Sequence, residues 1–211
     1  MNNRCILLTT GAMSPVHRGH IHALAAAKRH LEGEGWEVLK VYLSPSHDLY
    51  LKHKFGVPEL RCPLERRLDI ARLVAQGAQE GVEVEVATWE SDPRHPYWPD
   101  FPEVIAHHAA EARAALGGDV VTFYACGADH ARHCGGLPHL VVVPRGEGER
   151  LPAPRAGWHV TPPPPAEVRA LSSSAARAAL ARGDRHALLA HLVEGAVEYV
   201  ERWGVGFDSR G

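Results

Sequence analysis

Gly11-Ala-Met-Ser-Pro-Val-His17-Arg-Gly-His20 stands between an apolar run, Cys5 to Leu8, and the helical pattern Ile21-His-Ala-Leu-Ala-Ala-Ala-Lys-Arg-His-Leu31. A strand that turns through glycines into a helix presents backbone N–H groups and the positive end of a helix dipole to an anion. His17 and His20 lie at that end, three residues apart, so a helix starting near Arg18 lets both rings face one bound group. Pro15 fixes φ just before them, and Gly11 and Gly19 allow the backbone to approach a ligand closely. The stretch reads as strand, phosphate loop, helix. Taken alone it also reads as an ordinary βα loop with two surface histidines, because short motifs match by chance.

Outward from this loop, apolar β-favouring runs recur at Val38–Leu43, Val82–Val86, Val120–Cys126 and Leu140–Val143, with a weaker one at Trp158–Thr161. Helical patterns lie between the early ones, at His20–Leu31, Leu64–Gln76 and Glu103–Leu116. Strands alternating with helices predict an α/β fold, a Rossmann-like parallel sheet with helices on both faces. After Thr161 a proline run, Pro162–Pro165, leads into Glu167–Leu171 and two expected helices. The first is capped within Ser172–Ser174 and stopped by Gly183; the second starts after Asp184 and ends near Trp203-Gly204. The expected division is a core over 1–161 and a small helical C-terminal subdomain over 162–211 that completes the phosphate site. The Gly-, Pro- and charge-rich segment from Val143 to Pro154 predicts a surface loop.

Composition narrows the function classes. The 211 residues can bury a sizeable core, and 23 Lys+Arg against 25 Asp+Glu leave no strongly basic surface for a nucleic acid polymer. Cys5, Cys62, Cys126 and Cys134 have no disulfide-framework spacing, and the N-terminus has no charged-then-apolar signal pattern. The expectation is an intracellular, reduced and cytoplasmic setting. No apolar run approaches the roughly 20 residues that span a bilayer, so no membrane partner is expected. The 15 histidines read mainly as composition, with His30, His53, His95, His139 and His186 expected to be solvated.

Near the C-terminus, Leu171-Ser172-Ser173-Ser174-Ala-Ala-Arg177 combines hydroxyls at a helix start with an arginine one turn in. Serines there cap a helix in any case. With Arg177 they also suit a second anion site, so that an early and a late site grip a triphosphate from both ends. Cys126, His130, His133 and Cys134 allow a zinc reading. It is disfavoured because the spacing is uncommon and the strand-to-helix change between Cys126 and His130 makes tetrahedral closure awkward.

The Gly-x-x-x-Pro-x-His-x-Gly-His pattern resembles the signature of the nucleotidylyltransferase superfamily. Further segments are similar to the eukaryotic-type nicotinamide/nicotinate mononucleotide adenylyltransferases. These are Ser44-Pro-Ser-His-Asp48-Leu-Tyr50-Leu-Lys52, Thr88-Trp89-Glu90-Ser91, the paired His107-His108, Cys126-Gly127-Ala128-Asp129, Arg145-Gly146, and Leu171 to Arg177. They occur in the family's order over nearly the whole chain. The resemblance implies an enzyme that transfers AMP from ATP to nicotinamide or nicotinate mononucleotide, giving NAD or its acid analogue and pyrophosphate.

It also implies the site. His17, His20, Lys52 and Arg177 would carry catalysis. Gly11, Ala12, Met13, His17, His20, Gly127, Asp129, Ser172, Ser173 and Arg177 would bind ATP. Ser14, Tyr50, Lys52, Thr88, Trp89, Glu90 and Arg145 would bind the acceptor, with main-chain atoms of Trp89 and Glu90 reading the amide or carboxylate. Mg²⁺ would arrive with ATP, with no metal held by protein side chains, and homo-oligomers are frequent in the family.

The chain departs from the family in one place. Between Asp129 and Leu140 the family carries a longer, tryptophan-containing segment that helps enclose the pyridine ring, and here no tryptophan occurs between Trp98 and Trp158. This leaves open the same chemistry on another phosphorylated, pyridine-like acceptor, or a nonstandard route to NAD. A binding module that has lost turnover is the alternative of a different class. The proline-stiffened, aromatic segment Pro93–Pro102 reads either as a surface loop or as a different wall over the acceptor.

Overall fold

The computed structural model describes residues 3–56 and 62–202. β1 (Asn3–Gly11) is central and pairs in parallel with β2 (Trp36–Pro45) on one side and β4 (Val120–Cys126) on the other. β3 (Glu85–Val86) flanks β2, while β5 (Leu140–Val142) and β6 (Trp158–Val160) extend the sheet beyond β4. The order is β3-β2-β1-β4-β5-β6, with every pairing parallel. Cys5 and Leu7 enter one hydrophobic cluster; Ile6 and Leu8 enter clusters that exclude those two. All four are fully buried, as required of a strand covered on both faces.

α1 (Arg18–Gly33) and α3 (Leu64–Gly77) cover one face with Ile21, Leu24, Leu31, Ile70 and Val74. The same cluster takes in Ala179 and Leu180 of α7 (Ser173–Ala181), Leu188 of α8 (Arg185–His191) and Val197 of α9 (Glu194–Glu201). The C-terminal helices therefore share the core under the sheet. On the opposite face, α4 (Phe101–Leu116) sets Val104 with Leu8, Tyr124, Leu140 and Val142, and Ala112 with Ile6 and Val120.

The elements differ from expectation in three places. The third strand is reduced to Glu85–Val86, because only Tyr42 and Leu43 pair with it; Val82 and Val84 still pack on the core. An additional helix, α2 (Asp48–Phe55), follows β2. The expected helix after Asp184 breaks at Leu192–Val193, whose backbone is extended. A Cβ on Gly77 would lie 3.0 Å from the Val193 side chain, so the break seats Val193 against a glycine of α3 where a side chain would crowd it. The expected end near Trp203-Gly204 lies outside the described residues. Two short helices, α5 (Ala128–Ala131) and α6 (Ala166–Arg169), complete the order. The chain from Pro144 to Pro154 forms neither helix nor strand. Among the described residues no helix is long and apolar enough to cross a membrane.

Candidate active site

β1 sits between β2 and β4, so the sheet changes winding direction between β1 and β4. Loops leaving the carboxyl ends of strands at such a point border a crevice where ligands bind. The loop after β1 holds residues 12–17, and the turn after β4 holds Gly127 and Asp129. The expected phosphate loop and the Cys-Gly-Ala-Asp turn thus flank one crevice.

His17 is the N-cap of α1. Its Nδ1 accepts the Gly19 N–H at 3.1 Å, and Nδ1 of His20 accepts the His17 N–H at 3.1 Å. The rings are 3.9 Å apart between centroids, which brings both imidazoles together as the spacing predicts. A Cβ on Gly19 would meet the His17 ring at 2.9 Å, so this glycine is needed for the cap itself. Accepting at Nδ1 requires a lone pair there, so a neutral ring carries its proton on Nε2. Burial is the main cause that pushes both rings below the ordinary histidine range, His20 to about 4, with Arg145 acting in the same direction on each. Near neutral pH the pair therefore offers two N–H donors rather than two cations.

The late segment reaches this loop directly. Ser172 caps α7 by accepting the Ala175 N–H at 3.1 Å, Ser173 Oγ donates to the Pro15 carbonyl at 2.8 Å, and Arg177 Nη1 donates to the Ser14 carbonyl at 2.5 Å. Arg177 Nη2 also donates to Ser174 Oγ at 3.1 Å. Residues 163 positions apart in the chain thus form one structure at the mouth of the crevice.

Within the loop, Gly11 ends β1 and its carbonyl accepts the Ser46 N–H at 2.8 Å. Met13 is buried in the left-handed region at φ 46°, a conformation that costs a non-glycine residue about 1–2 kcal/mol. The Ala12 carbonyl accepts from Arg67 at 3.2 Å, and the buried Ser14 hydroxyl accepts the Cys62 N–H at 3.0 Å. Arg67 is fully buried and also donates to Cys62 O at 3.1 Å and Asp48 Oδ1 at 2.6 Å. It joins the loop, α2 and α3. Sequence reasoning missed it, although an arginine on the apolar stripe with Ile70, Ala71 and Val74 was the signal.

Lys52 and Lys54 are both exposed on α2, the Lys54 ammonium being partly desolvated. Lys54 is the lysine whose ammonium feels Asp129, Arg145 and Arg177, and it acts in turn on His20. Residues two apart on a helix lie about 200° apart around its axis, so the two lysines face different ways. Tyr50, four before Lys54, shares its face, with the ammonium 5.6 Å from the ring centroid. Burial is the main cause that lowers Lys54, whereas Asp129 holds its charge. A Cβ on Gly127 would sit 2.8 Å from Asp129 Oδ1 and 3.9 Å from Arg145 Nε, so these three residues meet beside the same cluster.

Trp89 stacks on His107 of α4, centroids 4.1 Å apart and planes 9° apart. His95 meets the Trp89 ring edge-on at 4.8 Å, and His95 Nε2 lies 2.8 Å from the Trp89 carbonyl oxygen, which also accepts the Asp92 N–H at 3.2 Å. His95 was expected to be solvated; it is half-buried against Trp89 instead. Trp98 in turn stacks on His53 of α2 at 5.4 Å. Glu90 is buried and accepts from Ser44 Oγ at 2.6 Å; burial pushes its carboxyl up to about 7, against the opposing pull of the Ser44 and Ser46 hydroxyls. Thr88 is exposed, and its carbonyl accepts from Ser91 Oγ at 3.2 Å. Among the described residues, no three of Cys126, His130, His133 and Cys134 bring ligand atoms within 4.8 Å of one another, which removes the geometric basis of the zinc reading.

No family model matches the chain. A stretch of 104 residues is 32% identical to nicotinamide/nicotinic acid mononucleotide adenylyltransferase 2 of Danio rerio. That match takes in 49% of this chain and 31% of the other, so it spans under a third of the relative's length. Two solved structures of Plasmodium falciparum nicotinic acid mononucleotide adenylyltransferase, one complexed with APC and one with NaAD, share the fold. Their TM-scores are 0.67 and 0.65 over 95% of this chain and 96% of theirs, at 12% identity in each case. The chain is thus similar over 104 residues to one such adenylyltransferase, and the Rossmann-like fold expected from the sequence is borne out.

Proposed function

We propose that the chain is a nucleotidyltransferase that moves AMP from ATP to nicotinamide or nicotinate mononucleotide. A phosphate oxygen of the mononucleotide attacks the α-phosphorus of ATP in line, the bond from that phosphorus to the α,β-bridging oxygen breaks, and pyrophosphate leaves. The acceptor phosphate is already ionised near neutral pH, so no general base and no covalent enzyme intermediate are needed. Positioning and charge neutralisation then supply the catalysis.

The observation that carries this reading is the bond from Arg177 to the Ser14 carbonyl, which sets a guanidinium beside the loop that holds His17 and His20. The neutral Nε2–H groups of the two histidines would donate to the β- and γ-phosphates and to the departing pyrophosphate. Arg177, Lys54 and Arg145 would add positive charge, while Lys52, on another face of α2, would serve the acceptor phosphate. The residues from 162 onward would complete the triphosphate site through Ser172, Ser173 and Arg177. Trp89 and Glu90 would border the pyridine ring. Mg²⁺ fits as a companion of the triphosphate: the clamp consists mainly of nitrogen donors, so phosphate oxygens and water would hold the ion, which would neutralise charge there. Cysteine usage supports an intracellular, reducing setting, and self-association is proposed with the family resemblance.

A screen of nucleoside triphosphates against pyridine mononucleotides, with pyrophosphate release as the readout, tests this reading. Turnover confined to ATP with one or both mononucleotides is expected; turnover only with a different phosphorylated acceptor would favour the alternative raised by the short segment after Asp129.

A further inference from the structure

α4 carries a cluster that phosphoryl chemistry does not use. His107 and Glu111 are one helical turn apart, with Nε2 of the imidazole 3.2 Å from Glu111 Oε2; Nδ1 of His108 lies 3.4 Å from the same oxygen. One ligand atom from each residue lies within 4.8 Å of the other two, and among the described residues no other group of three does so. Two ligands at a tetrahedral angle around an ion with bonds near 2.1 Å lie about 3.4 Å apart, which matches both contacts. Stacking holds both rings: His107 on Trp89 at 4.1 Å, and His108 on Tyr42 at 4.9 Å with planes 24° apart.

His108 is 4% exposed; its Nε2 has no hydrogen-bond partner, and its Nδ1 faces Glu111 Oε2 without hydrogen-bond alignment. Leaving a buried polar atom unsatisfied costs about 1–3 kcal/mol, and ligation at Nδ1 would satisfy that atom.

We propose that His107, His108 and Glu111 form a three-ligand site for a divalent transition-metal ion of the zinc class, with a fourth position open to water. Two imidazoles and a carboxylate select Zn²⁺, Co²⁺, Ni²⁺ or Cu²⁺ over Mg²⁺. The Glu111 side chain is 60% exposed, which gives the ion a way in. Sequence reading assigned no metal to side chains because adjacent histidines become a ligand set only once their rings are turned toward Glu111. An ion here fixes the ring on which Trp89 stacks, so occupancy is readable from the indole.

The full chain, freed of metal by chelation, is titrated with Zn²⁺, Co²⁺ and Mg²⁺, and with Ni²⁺ while indole fluorescence is followed. One Zn²⁺ per chain is expected with a dissociation constant of about 1 μM or tighter. Co²⁺ should give the visible band of a four-coordinate centre, and Ni²⁺ should quench a fluorescence component that Trp89→Phe removes. Glu111→Gln, at an exposed position, and His107→Ala should each weaken Zn²⁺ at least about tenfold. A smaller loss in Glu111→Gln overturns the assignment. So does an absence of saturable Zn²⁺ binding below about 1 mM, or a loss of binding in Cys134→Ala.

Discussion

The Nδ1 atoms of His17 and His20 are taken up by the start of α1, which leaves one donor nitrogen on each ring for a ligand. Removing a donor that acts on developing negative charge costs about 10²–10³ in kcat. His20→Ala is therefore expected to lose at least about 10² in kcat while circular dichroism stays close to wild type and unfolding loses only about 1 kcal/mol with the cap bond; an unchanged rate would remove the role assigned to it. Glu90 gives a pH signature at the same scale. Its carboxyl rises from 4.5 to about 7 on folding, so the folded state binds the extra proton in that window. Its contribution is complete below pH 4.5 and is lost as pH rises through about 7, on the order of 3 kcal/mol in all. Denaturant unfolding across that range should show this loss in wild type and a flatter profile in Glu90→Gln. An identical profile in both would contradict the account of Glu90. Histidine spacing made the first pair legible from sequence, whereas nothing local marks position 90 as buried.

At the scale of elements, α1 and α4 were legible from their helical patterns, and the structure adds the caps that fix their starts: His17 caps one, and Asp100 with Glu103 forms the capping box of the other. α2 was not, since Leu51 is its one buried residue and Asp48–Phe55 has almost no apolar periodicity. Without that helix the phase of Lys52 and Lys54 is undefined, which is why the motif pointed to one lysine and the charge cluster contains the other. Lys54→Ala should raise the KM for ATP about tenfold and leave that for the mononucleotide within about twofold, in initial-rate assays that vary each substrate. The reverse ranking would take Lys54 out of the clamp. α7 depends on a tertiary contact as well as its cap. Ser173→Ala removes the bond to the Pro15 carbonyl, and a loss of about 1 kcal/mol in unfolding free energy is expected. A loss below about 0.3 kcal/mol would mean that this bond does not hold α7 to the loop. The break between α8 and α9 was hidden for the same reason, because it is set by Val193 meeting Gly77 across the core.

For the whole molecule, strand order explains why motifs scattered along the sequence meet. Parallel strands deliver their following loops to one edge, and the change of direction between β1 and β4 opens a crevice there. The alternation of strands and helices was enough to read the parallel sheet and the position of the phosphate loop. It was not enough to show that the C-terminal helices bury Leu180, Leu188 and Val197 in the same cluster as Leu7 and Val141. Arg177 is consequently tied to the core and to Ser14 together. The proposed acceptor side is built differently: His95 and His107 both pack on Trp89, which supplies aromatic rings that the short segment after Asp129 lacks.

Chromatographic and mass-spectrometric identification of the product formed from ATP with nicotinamide mononucleotide or nicotinate mononucleotide tests the central claim most directly. The account predicts NAD or its acid analogue, with one pyrophosphate released per dinucleotide formed, and a product yield that falls together with kcat in His20→Ala. Pyrophosphate release without a dinucleotide, or no product from either mononucleotide, would contradict it.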